Sequence, residues 1–327
     1  MGVLISILIV FSSLFPAPCN PYPEAGKDSL LVMFWNLENF FEWKRDTLLN
    51  NSSEEEFTSW GKRHWTRRKF EAKCRAVAKS VLWVADSEGR LPDVIGVAEI
   101  ENRFVLERLL RDTRLSRLDY GIVHFESPDP RGIDTGLLYR KTKLKPLSSK
   151  PLRISNKDGP SILTRDILLA AFLREGGDSI AFLVNHHPSK YGDGSAPRRA
   201  LAMKRLEEAT DSLFADGWRK VIAMGDFNDV PSSTGRYSRK MANLASEPAA
   251  KGLGTIKYSG KWEMIDMFFI SPDLMERNPG AAMKVVRIPF LMVRDNAHSG
   301  EKPFRTFTGP RYSGGVSDHC PITLKIQ

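Results

Sequence analysis

The sequence predicts an α/β fold in which two packed mixed β-sheets are flanked by helices, a four-layer α/β sandwich. Three observations support this prediction. Apolar runs of strand length recur along the chain, only two long segments show helical periodicity, and no internal repeat is visible. A singly wound parallel sheet would need a crossover helix for most of its strands, so many strands with few helices favour two packed sheets.

The period of the apolar residues predicts each element. In the first helix, over 66–84, five side chains share one face: Phe70, Cys74, Val77, Val81 and Val84. The second helix opens at Pro197, which suits a first helical turn, and aligns Met203, Leu206, Thr210 and Leu213. The predicted strands are 30–35, 94–98, 121–125, 136–139, 167–173, 180–184, 220–224, 267–270, 284–291 and 321–326.

Composition and charge limit the class of protein. With 327 residues, of which 42% are hydrophobic, the chain can bury a large core. No boundary divides it convincingly, so we predict one domain over 28–327, a monomer without an obligate protein partner. The net charge of +9 favours a phosphate-bearing partner, including nucleic acid, but a basic soluble surface explains it equally well. Solvated surface also explains the basic stretches 62–75 and 140–157 better than nucleic-acid contact does.

Residues 1–27 are predicted to be an export signal or a lipoprotein segment. The run 3–15 is apolar, uncharged and too short to span a bilayer, and a Pro-rich polar stretch follows it. The absence of a preceding Lys or Arg departs from the usual signal pattern. We expect a periplasmic, secreted or lipid-anchored protein with no transmembrane span beyond this segment. A lipid would modify Cys19, whereas Cys74 and Cys320 are expected to pack in the core.

Polar clusters at the ends of predicted strands carry the candidate chemistry. Asn36 and Glu38 follow the first strand two residues apart, and Glu99 ends another strand. Asp226 and Asn228 repeat the acid and amide pattern after a very apolar strand. Carboxylate and carbonyl oxygens are the ligands that Mg²⁺ prefers, with water and substrate phosphate completing its coordination. The sequence therefore predicts a magnesium site, which Mn²⁺ would also fit.

Histidines provide the other half of the predicted site. His186 follows the strand 180–184, and Asp318 and His319 precede the last strand. Asp266 lies in an apolar run, where a carboxylate is costly unless it is paired. A histidine with a fixed acidic partner can carry a proton or stabilise charge on a phosphoryl group. One histidine alone is more often structural, but six such clusters favour a common site.

In order and residue type, these clusters resemble the motif series of the endonuclease/exonuclease/phosphatase superfamily, whose fold is deoxyribonuclease-I-like. The similarity runs from about residue 30 to the C-terminus and extends to uncharacterised exported bacterial members. It implies a divalent-metal-dependent phosphoester hydrolase. The motifs that carry it are Asn36-Leu37-Glu38, Glu99, Asn185-His186, Gly225-Asp226-Phe227-Asn228, Ile265-Asp266 and Ser317-Asp318-His319.

The resemblance implies which residues bind the metal and the substrate. Glu99 would be the main metal ligand, and Asn36, Glu38 and Asp318 would support it. Asn185 is expected to contact substrate beside His186. Three basic residues ahead of the last motif would either bind further phosphates or form a solvated loop: Lys302, Arg305 and Arg311.

The resemblance also implies the catalytic roles. Asp226 would position or deprotonate the attacking water, and Asn228 would hold that water and a phosphate oxygen. His319, oriented by Asp266, would contact the scissile phosphate. His186 would donate to another phosphate oxygen or assist the leaving group.

Three functions remain open at this point. An exported nuclease-like phosphodiesterase agrees best with the basic charge and with His186. The second is a phosphatase, or a phosphodiesterase acting on phospholipids or small molecules, on the same scaffold; the block 261–266 lacks the arginine typical of inositol-phosphatase members. The third is a non-catalytic binding protein, which would be expected to lose metal or histidine positions that are all present here.

Overall fold

A computed structural model describes most of the chain, in the ranges 29–44, 56–155, 162–190, 194–235 and 237–327. The predicted export segment, 1–27, and its Cys19 lie outside these ranges. In the described residues, no helix has both the length and the apolar character needed to cross a membrane.

The first sheet contains six strands, in the spatial order β13 (Met283–Val285), β18 (Ile322–Ile326), β1 (Leu30–Phe40), β2 (Val94–Ile100), β4 (Asp134–Arg140) and β3 (Tyr120–His124). β1 and β2 are parallel, whereas the other neighbours are antiparallel. Successive side chains of β1 enter two different cores, Val32 and Phe34 in one and Met33 and Trp35 in the other. Both faces of this strand are therefore covered.

The second sheet also contains six strands, in the order β5 (Leu144–Leu152), β6 (Ile167–Arg174), β7 (Ser179–His186), β8 (Val221–Asp226), β12 (Asp266–Ile270) and β9 (Ala242–Asn243). Its parallel pair is β7 and β8, and the other pairs are antiparallel. Both sheets are mixed, as the sequence predicts.

Helices cover the outer faces of the two sheets. Phe70 of α1 (Arg67–Glu88) and Leu106 of α2 (Arg103–Arg111) share a core with Met33 and Trp35 of the first sheet. Leu206 of α3 (Ser195–Ala215) belongs to the other core, which contains the facing sides of both sheets. The predicted fold class, two packed mixed sheets flanked by helices, is confirmed.

The ends of α1 follow from local sequence. The Thr66 side chain accepts a hydrogen bond from the backbone N–H of Lys69 and caps the first turn. Gly89 ends the helix in the left-handed conformation, with φ of 71°. The helix extends four residues beyond the predicted 66–84. Cys74 and Cys320 are free and buried, as expected.

Smaller elements lie in the connections between strands. The short helix α4 (Ser246–Ala250) follows β9, and α5 (Pro272–Arg277) follows β12. Three antiparallel hairpins are formed by β10 (Ile256–Tyr258) with β11 (Lys261–Glu263), β14 (Met292–Arg294) with β15 (Glu301–Pro303), and β16 (Phe307–Thr308) with β17 (Arg311–Tyr312).

The structure corrects three predictions. The predicted strand 284–291 is only β13, followed by a 3₁₀ turn at Pro289–Leu291, because proline lacks the N–H that a central strand needs. The basic stretch after residue 140 contains the strand β5, whose seven central residues are exposed, so it lacks an apolar pattern. β1 continues past the predicted end at residue 35 to Phe40.

Candidate active site

The parallel strands of both sheets end at the same side of the sandwich. In the first sheet, Asn36 of β1 lies opposite the residue that precedes Glu99. In the second, Asp226 is in register with His186 on one side and with Asp266 on the other. The Asn36 Nδ2 group donates to Asp226 Oδ2 at 3.1 Å and thus joins the two sheets. Clusters far apart in sequence therefore form one candidate site.

The loop after β8 depends on a glycine. A Cβ atom on Gly225 would lie 2.2 Å from the backbone oxygen of Asn185, so no larger residue fits where β7 and β8 approach. Beyond it, Asp226 Oδ1 accepts the backbone N–H of Asn228 at 2.9 Å. The Asn228 side chain donates to the backbone oxygen of His187 at 3.0 Å. These bonds fix the acid and amide pair at the end of the strand.

Several site residues have left-handed backbone conformations. The φ angles are 45° at Glu38, 51° at Asn39, 58° at Glu99 and 49° at Asn228. Pairing between β1 and β2 changes register between Asn36 and Phe40. Each such non-glycine residue costs about 1–3 kcal/mol and persists only where surrounding contacts impose it. The strain is concentrated at the ends of the strands that carry the candidate site.

His319 and Asp266 form a buried pair. His319 Nδ1 lies 2.8 Å from Asp266 Oδ2, and the backbone oxygen of His319 accepts the Trp35 indole N–H at 2.9 Å. Burial alone would lower the pKa of His319, but the carboxylates of Asp266, Asp226 and Asp318 together raise this pKa well above its usual range. His319 is therefore a buried imidazolium, and its Nε2 lies 3.8 Å from Asp226 Oδ2.

His186 has the opposite ionisation. Its Nε2 atom lies 3.7 Å from both Glu99 Oε1 and Asp226 Oδ2. Burial, followed by the nearby cations Arg165 and Arg131, lowers the pKa of His186 well below its usual range. The site therefore contains one charged and one neutral histidine around the same carboxylate.

Asp226 combines burial with acidic neighbours. Burial, and then the negative charge of Asp266, raise the pKa of Asp226 to about 7, although His319 acts in the opposite direction. A carboxylate with a pKa near neutrality is well matched to accept a proton from water. This property agrees with the role that the family resemblance implies for Asp226.

Glu99 is the carboxylate at the open side of the site. Its side chain is 15% exposed. Its Oε2 accepts the backbone N–H of Asn39 at 2.9 Å, and its Oε1 lies 3.3 Å from Asn36 Nδ2. The Asn36 oxygen accepts the backbone N–H of Glu38. Asn36 thus orients Glu99 and Asp226 through its nitrogen, whereas the sequence predicted it as a metal ligand.

Glu38, which the sequence predicts as a metal ligand, accepts hydrogen bonds from protein groups. Its Oε1 accepts from Arg305 Nε at 2.8 Å, and its Oε2 accepts from the backbone N–H of Thr306 at 2.9 Å. Arg305 NH2 lies 3.1 Å from Asp318 Oδ2. Burial, and then Asp318, raise the pKa of Glu38 to about 7, whereas Arg305 and Lys73 lower it. Both carboxylate oxygens of Glu38 are thus engaged by protein donors.

Lys73 is a site residue that the sequence interpretation missed. It is 2% exposed, and its Nζ donates to the backbone oxygen of Glu38 at 2.5 Å and to Thr306 Oγ1 at 2.8 Å. Burial lowers the pKa of Lys73 to about 8, although Glu38, Glu99 and Asp318 act in the opposite direction. Its only signal in the sequence was its position three residues after Phe70, at the edge of the apolar face of α1.

The other predicted substrate contacts lie apart from this cluster. The Asn185 amide donates to the backbone oxygens of Leu183 and Met224, so its hydrogen bonds hold strands together, and its contact with substrate stays a prediction. Lys302 pairs with Asp295 at 3.1 Å, and Arg311 is exposed on β17. Of the three basic residues predicted ahead of the last motif, the structure brings Arg305 into the site.

The donor set fits a divalent cation. Five carboxylates meet here, Glu38, Glu99, Asp226, Asp266 and Asp318, and burial, followed by a neighbouring carboxylate, raises the pKa of Glu38 and of Asp226. Asp226, Asp266 and His319 also place one ligand atom each within 4.8 Å of one another. Asp266 and His319 are hydrogen-bonded to each other. Glu99 and Asp318 are therefore the accessible oxygen ligands for a divalent ion.

A family model of the endonuclease/exonuclease/phosphatase family matches residues 31–327. The chain belongs to this family. Its members are phosphoester hydrolases, so the prediction of this enzyme class is confirmed. No curated protein matches the chain significantly in sequence.

Several solved structures have a similar fold. Caenorhabditis elegans TDP2, in truncated form, is 15% identical with a TM-score of 0.57, covering 91% of this chain and 97% of that one. The human Nocturnin catalytic domain with a bound sulfate anion is also 15% identical, with a TM-score of 0.56 and coverage of 91% and 94%. A mannosyl-6-phosphatase from Bacteroides thetaiotaomicron is 14% identical, with a TM-score of 0.56 and coverage of 91% and 99%.

Proposed function

We propose that this protein is an exported, divalent-metal-dependent phosphoester hydrolase that acts as a nuclease-like phosphodiesterase by in-line attack of water. The observation that carries the proposal is the Asn36 side chain, which contacts Glu99 in one sheet and Asp226 in the other. It places the accessible metal ligand beside the carboxylate suited to proton transfer. Hydrolysis of a phosphoester needs both functions around one phosphorus atom.

Other residues of the site supply proton transfer and hydrogen bonds to the phosphate. Asp226 accepts a proton from the attacking water, since its pKa of about 7 lets it do so near neutral pH. The His319 imidazolium donates to a nonbridging phosphate oxygen while Asp266 holds its ring. Neutral His186 donates a hydrogen bond to another phosphate oxygen or to the leaving group. A divalent ion held by Glu99 and Asp318 would neutralise charge on the phosphoryl oxygens.

The preference for a phosphodiester rests on charge and on the neutral His186. The net charge of +9 favours a polyanionic substrate. A phosphomonoester is the second candidate, because one of the similar structures is a mannosyl-6-phosphatase with a TM-score of 0.56. The two candidates share the site chemistry and differ in what surrounds the scissile phosphate.

One assay separates these candidates. Purified protein is incubated with Mg²⁺ or Mn²⁺, and with excess EDTA, against plasmid DNA, RNA, a bis-phosphodiester dye and a panel of phosphomonoesters. Glu99→Gln and His319→Ala are compared with Glu107→Gln, a matched change at an exposed helical glutamate. We expect metal-dependent diester cleavage by the wild type and by Glu107→Gln, with both site variants inactive.

The outcomes are distinct. Hydrolysis that persists in excess EDTA would contradict the proposed dependence on a divalent metal ion. Cleavage of monoesters without cleavage of nucleic acid or the dye would support the phosphatase instead. Activity equal in all variants would show that this cluster is not the active site.

Export is proposed from the segment 1–27 and is tested separately. The full-length chain, a deletion of 1–27 and Cys19→Ala are expressed in a bacterial host and fractionated. We expect the full-length chain in the periplasm, the medium or the membrane fraction, and the deletion in the cytoplasm. Loss of membrane association in Cys19→Ala alone would identify a lipid anchor. A full-length chain retained uncleaved in the cytoplasm would contradict export.

A further inference from the structure

Glu38 is saturated by protein donors although it lies among the predicted metal ligands. Arg305 and the backbone N–H of Thr306 each take one carboxylate oxygen, at 2.8 and 2.9 Å. Lys73 binds the backbone oxygen of the same residue. The side chain of Glu38 is 5% exposed. Glu99 differs in that its two hydrogen bonds come from neutral donors, Asn36 and the backbone N–H of Asn39, and its side chain is 15% exposed. Glu38 is therefore the more buried of the two carboxylates and already has a cationic partner.

Arg305 links Glu38 to a second carboxylate. Its Nε contacts Glu38, and its NH2 lies 3.1 Å from Asp318 Oδ2. Two carboxylates joined by one cation is the arrangement that an additional divalent ion would otherwise adopt in a two-metal site. A guanidinium is always protonated and has a fixed planar fork, so it holds this position without any metal.

The guanidinium is also accessible from the substrate side. The Arg305 side chain is 50% exposed, whereas those of Glu38 and Asp318 are 5% and 20% exposed. The two carboxylate contacts use two of its five N–H groups, and a planar fork can bind a phosphate with those that remain. Lys73, which is buried and donates to the backbone oxygen of Glu38, is a second basic group beside this residue.

We propose that Arg305 takes the place of a second metal ion, so that the protein binds a single divalent ion at Glu99 and uses the Arg305 guanidinium as the second positive charge on the substrate phosphate. This inference rests on the proposed function for the identity of the substrate. The metal count itself does not depend on any substrate. In this arrangement Glu38 positions Arg305 and does not bind the ion.

The test counts metal ions in the absence of substrate. Mn²⁺ is titrated into the purified chain, free Mn²⁺ is measured by electron paramagnetic resonance, and calorimetry gives an independent stoichiometry. We expect one bound Mn²⁺ per wild-type chain. In Arg305→Met, which removes the charge and keeps the bulk, Glu38 and Asp318 are released and a second Mn²⁺ binds. Arg305→Gln, which also removes the positive charge, serves in the same way if Arg305→Met does not fold.

Two controls locate the effect. Arg277→Met breaks an exposed arginine–aspartate pair of similar length, 2.9 Å between Nε and Asp273, and should still bind one Mn²⁺. Glu38→Gln combined with Arg305→Met should return to one, because the second ion needs the Glu38 carboxylate. With an active substrate, and at Mn²⁺ concentrations that fill only the first site, Arg305→Met should lower kcat/KM by about 10²-fold, the usual loss when one donor to a developing charge is removed.

The results separate this inference from the proposed function. Two Mn²⁺ ions in the wild type would overturn the inference, and so would a single ion in both Arg305→Met and Arg305→Gln. The predicted counts in a protein that hydrolyses no phosphoester would support the inference while the proposed function fails. Phosphoester hydrolysis by a wild type with two ions would leave the function standing and remove only the role of Arg305.

Discussion

Two buried aspartate–histidine pairs in this protein have opposite ionisation. In the candidate site, His319 Nδ1 lies 2.8 Å from Asp266, and between β3 and β4, His124 Nε2 lies 3.1 Å from Asp134. The carboxylates around His319 raise its pKa in spite of burial. Burial lowers the pKa of His124 and raises that of Asp134 to about 7. The pKa values of the two histidines are therefore shifted in opposite directions, and Asp134 holds its proton up to about pH 7.

The surroundings explain the difference. Asp226 and Asp318 add negative charge around His319. His124 has one half-exposed acid nearby, Glu126, while Arg103 adds positive charge. An aspartate–histidine contact is therefore insufficient evidence for a catalytic dyad. A third carboxylate near the histidine is what distinguishes the site that can stabilise phosphoryl charge.

The largest expected difference between the pairs is in activity. His319→Gln should lower kcat/KM by about 10²–10⁴-fold, because it removes the proton that the phosphate oxygen receives. His124→Gln keeps a polar group beside Asp134 and should leave kcat/KM unchanged. Steady-state kinetics on the best substrate, with circular dichroism to verify folding, checks both. Equal losses in the two variants would mean that the ionisation difference does not matter for catalysis.

The aspartates should differ in the same direction by a smaller amount. Asp266→Asn leaves the His319 ring in place but removes the charge that holds its proton, and should reduce kcat by about 10- to 100-fold. Asp134→Asn mimics the protonated carboxyl and should retain full kcat. The matched variants are assayed together, and a normal kcat for Asp266→Asn would show that His319 needs no acidic partner.

The pair of His124 and Asp134 should affect stability through pH. The folded protein holds the Asp134 proton up to about pH 7, whereas the ordinary pKa is 3.8, so the folded state binds more protons in this window. The free energy of unfolding of the wild type should therefore fall, relative to that of Asp134→Asn, as the pH rises from the ordinary pKa of 3.8 to about 7. The slope should be up to about 1.4 kcal/mol per pH unit. Urea unfolding of both proteins at several pH values measures the difference. A constant difference would contradict a protonated Asp134.

The smallest effect is expected at Glu126. Its carboxylate lies 3.9 Å from His124 Nδ1 and is 48% exposed. Solvent screens such a contact, so Glu126→Gln should change the free energy of unfolding by less than about 0.5 kcal/mol. A much larger loss in urea unfolding would show that His124 is charged, and the contrast between the two pairs would disappear.

The sequence was sufficient for the parts of the site that lie at the ends of apolar strands. β8 and β12 are continuous apolar runs, so the polar residues at their ends, Asp226 and Asp266, stand out. The same holds for Glu99 and His186. The repetition of such clusters along the chain also predicted that these residues meet in one site.

Other contacts could not be predicted, because they depend on packing between distant segments. Glu38 and Arg305 are 267 residues apart, and the sequence around each of them does not show that they form a hydrogen bond. Lys73 lies in a basic stretch whose other basic residues are mostly exposed. The composition of this stretch therefore does not predict that Lys73 is buried. Asn185 appears in a motif but uses its amide between strands. Chain pattern predicts strand ends, whereas hydrogen-bond partners require the tertiary structure.

The pairing of the first strand with the last has a consequence during synthesis. Ser317 Oγ donates to the backbone oxygen of Asn36, 281 residues earlier, and β18 lies beside β1 in the first sheet. A nascent chain that has not yet released β18 from the ribosome lacks both this contact and His319. Since a domain folds as a unit, the candidate site assembles only after β18 has emerged. Folding of the first sheet and formation of the candidate site therefore depend on the same late segment of this domain.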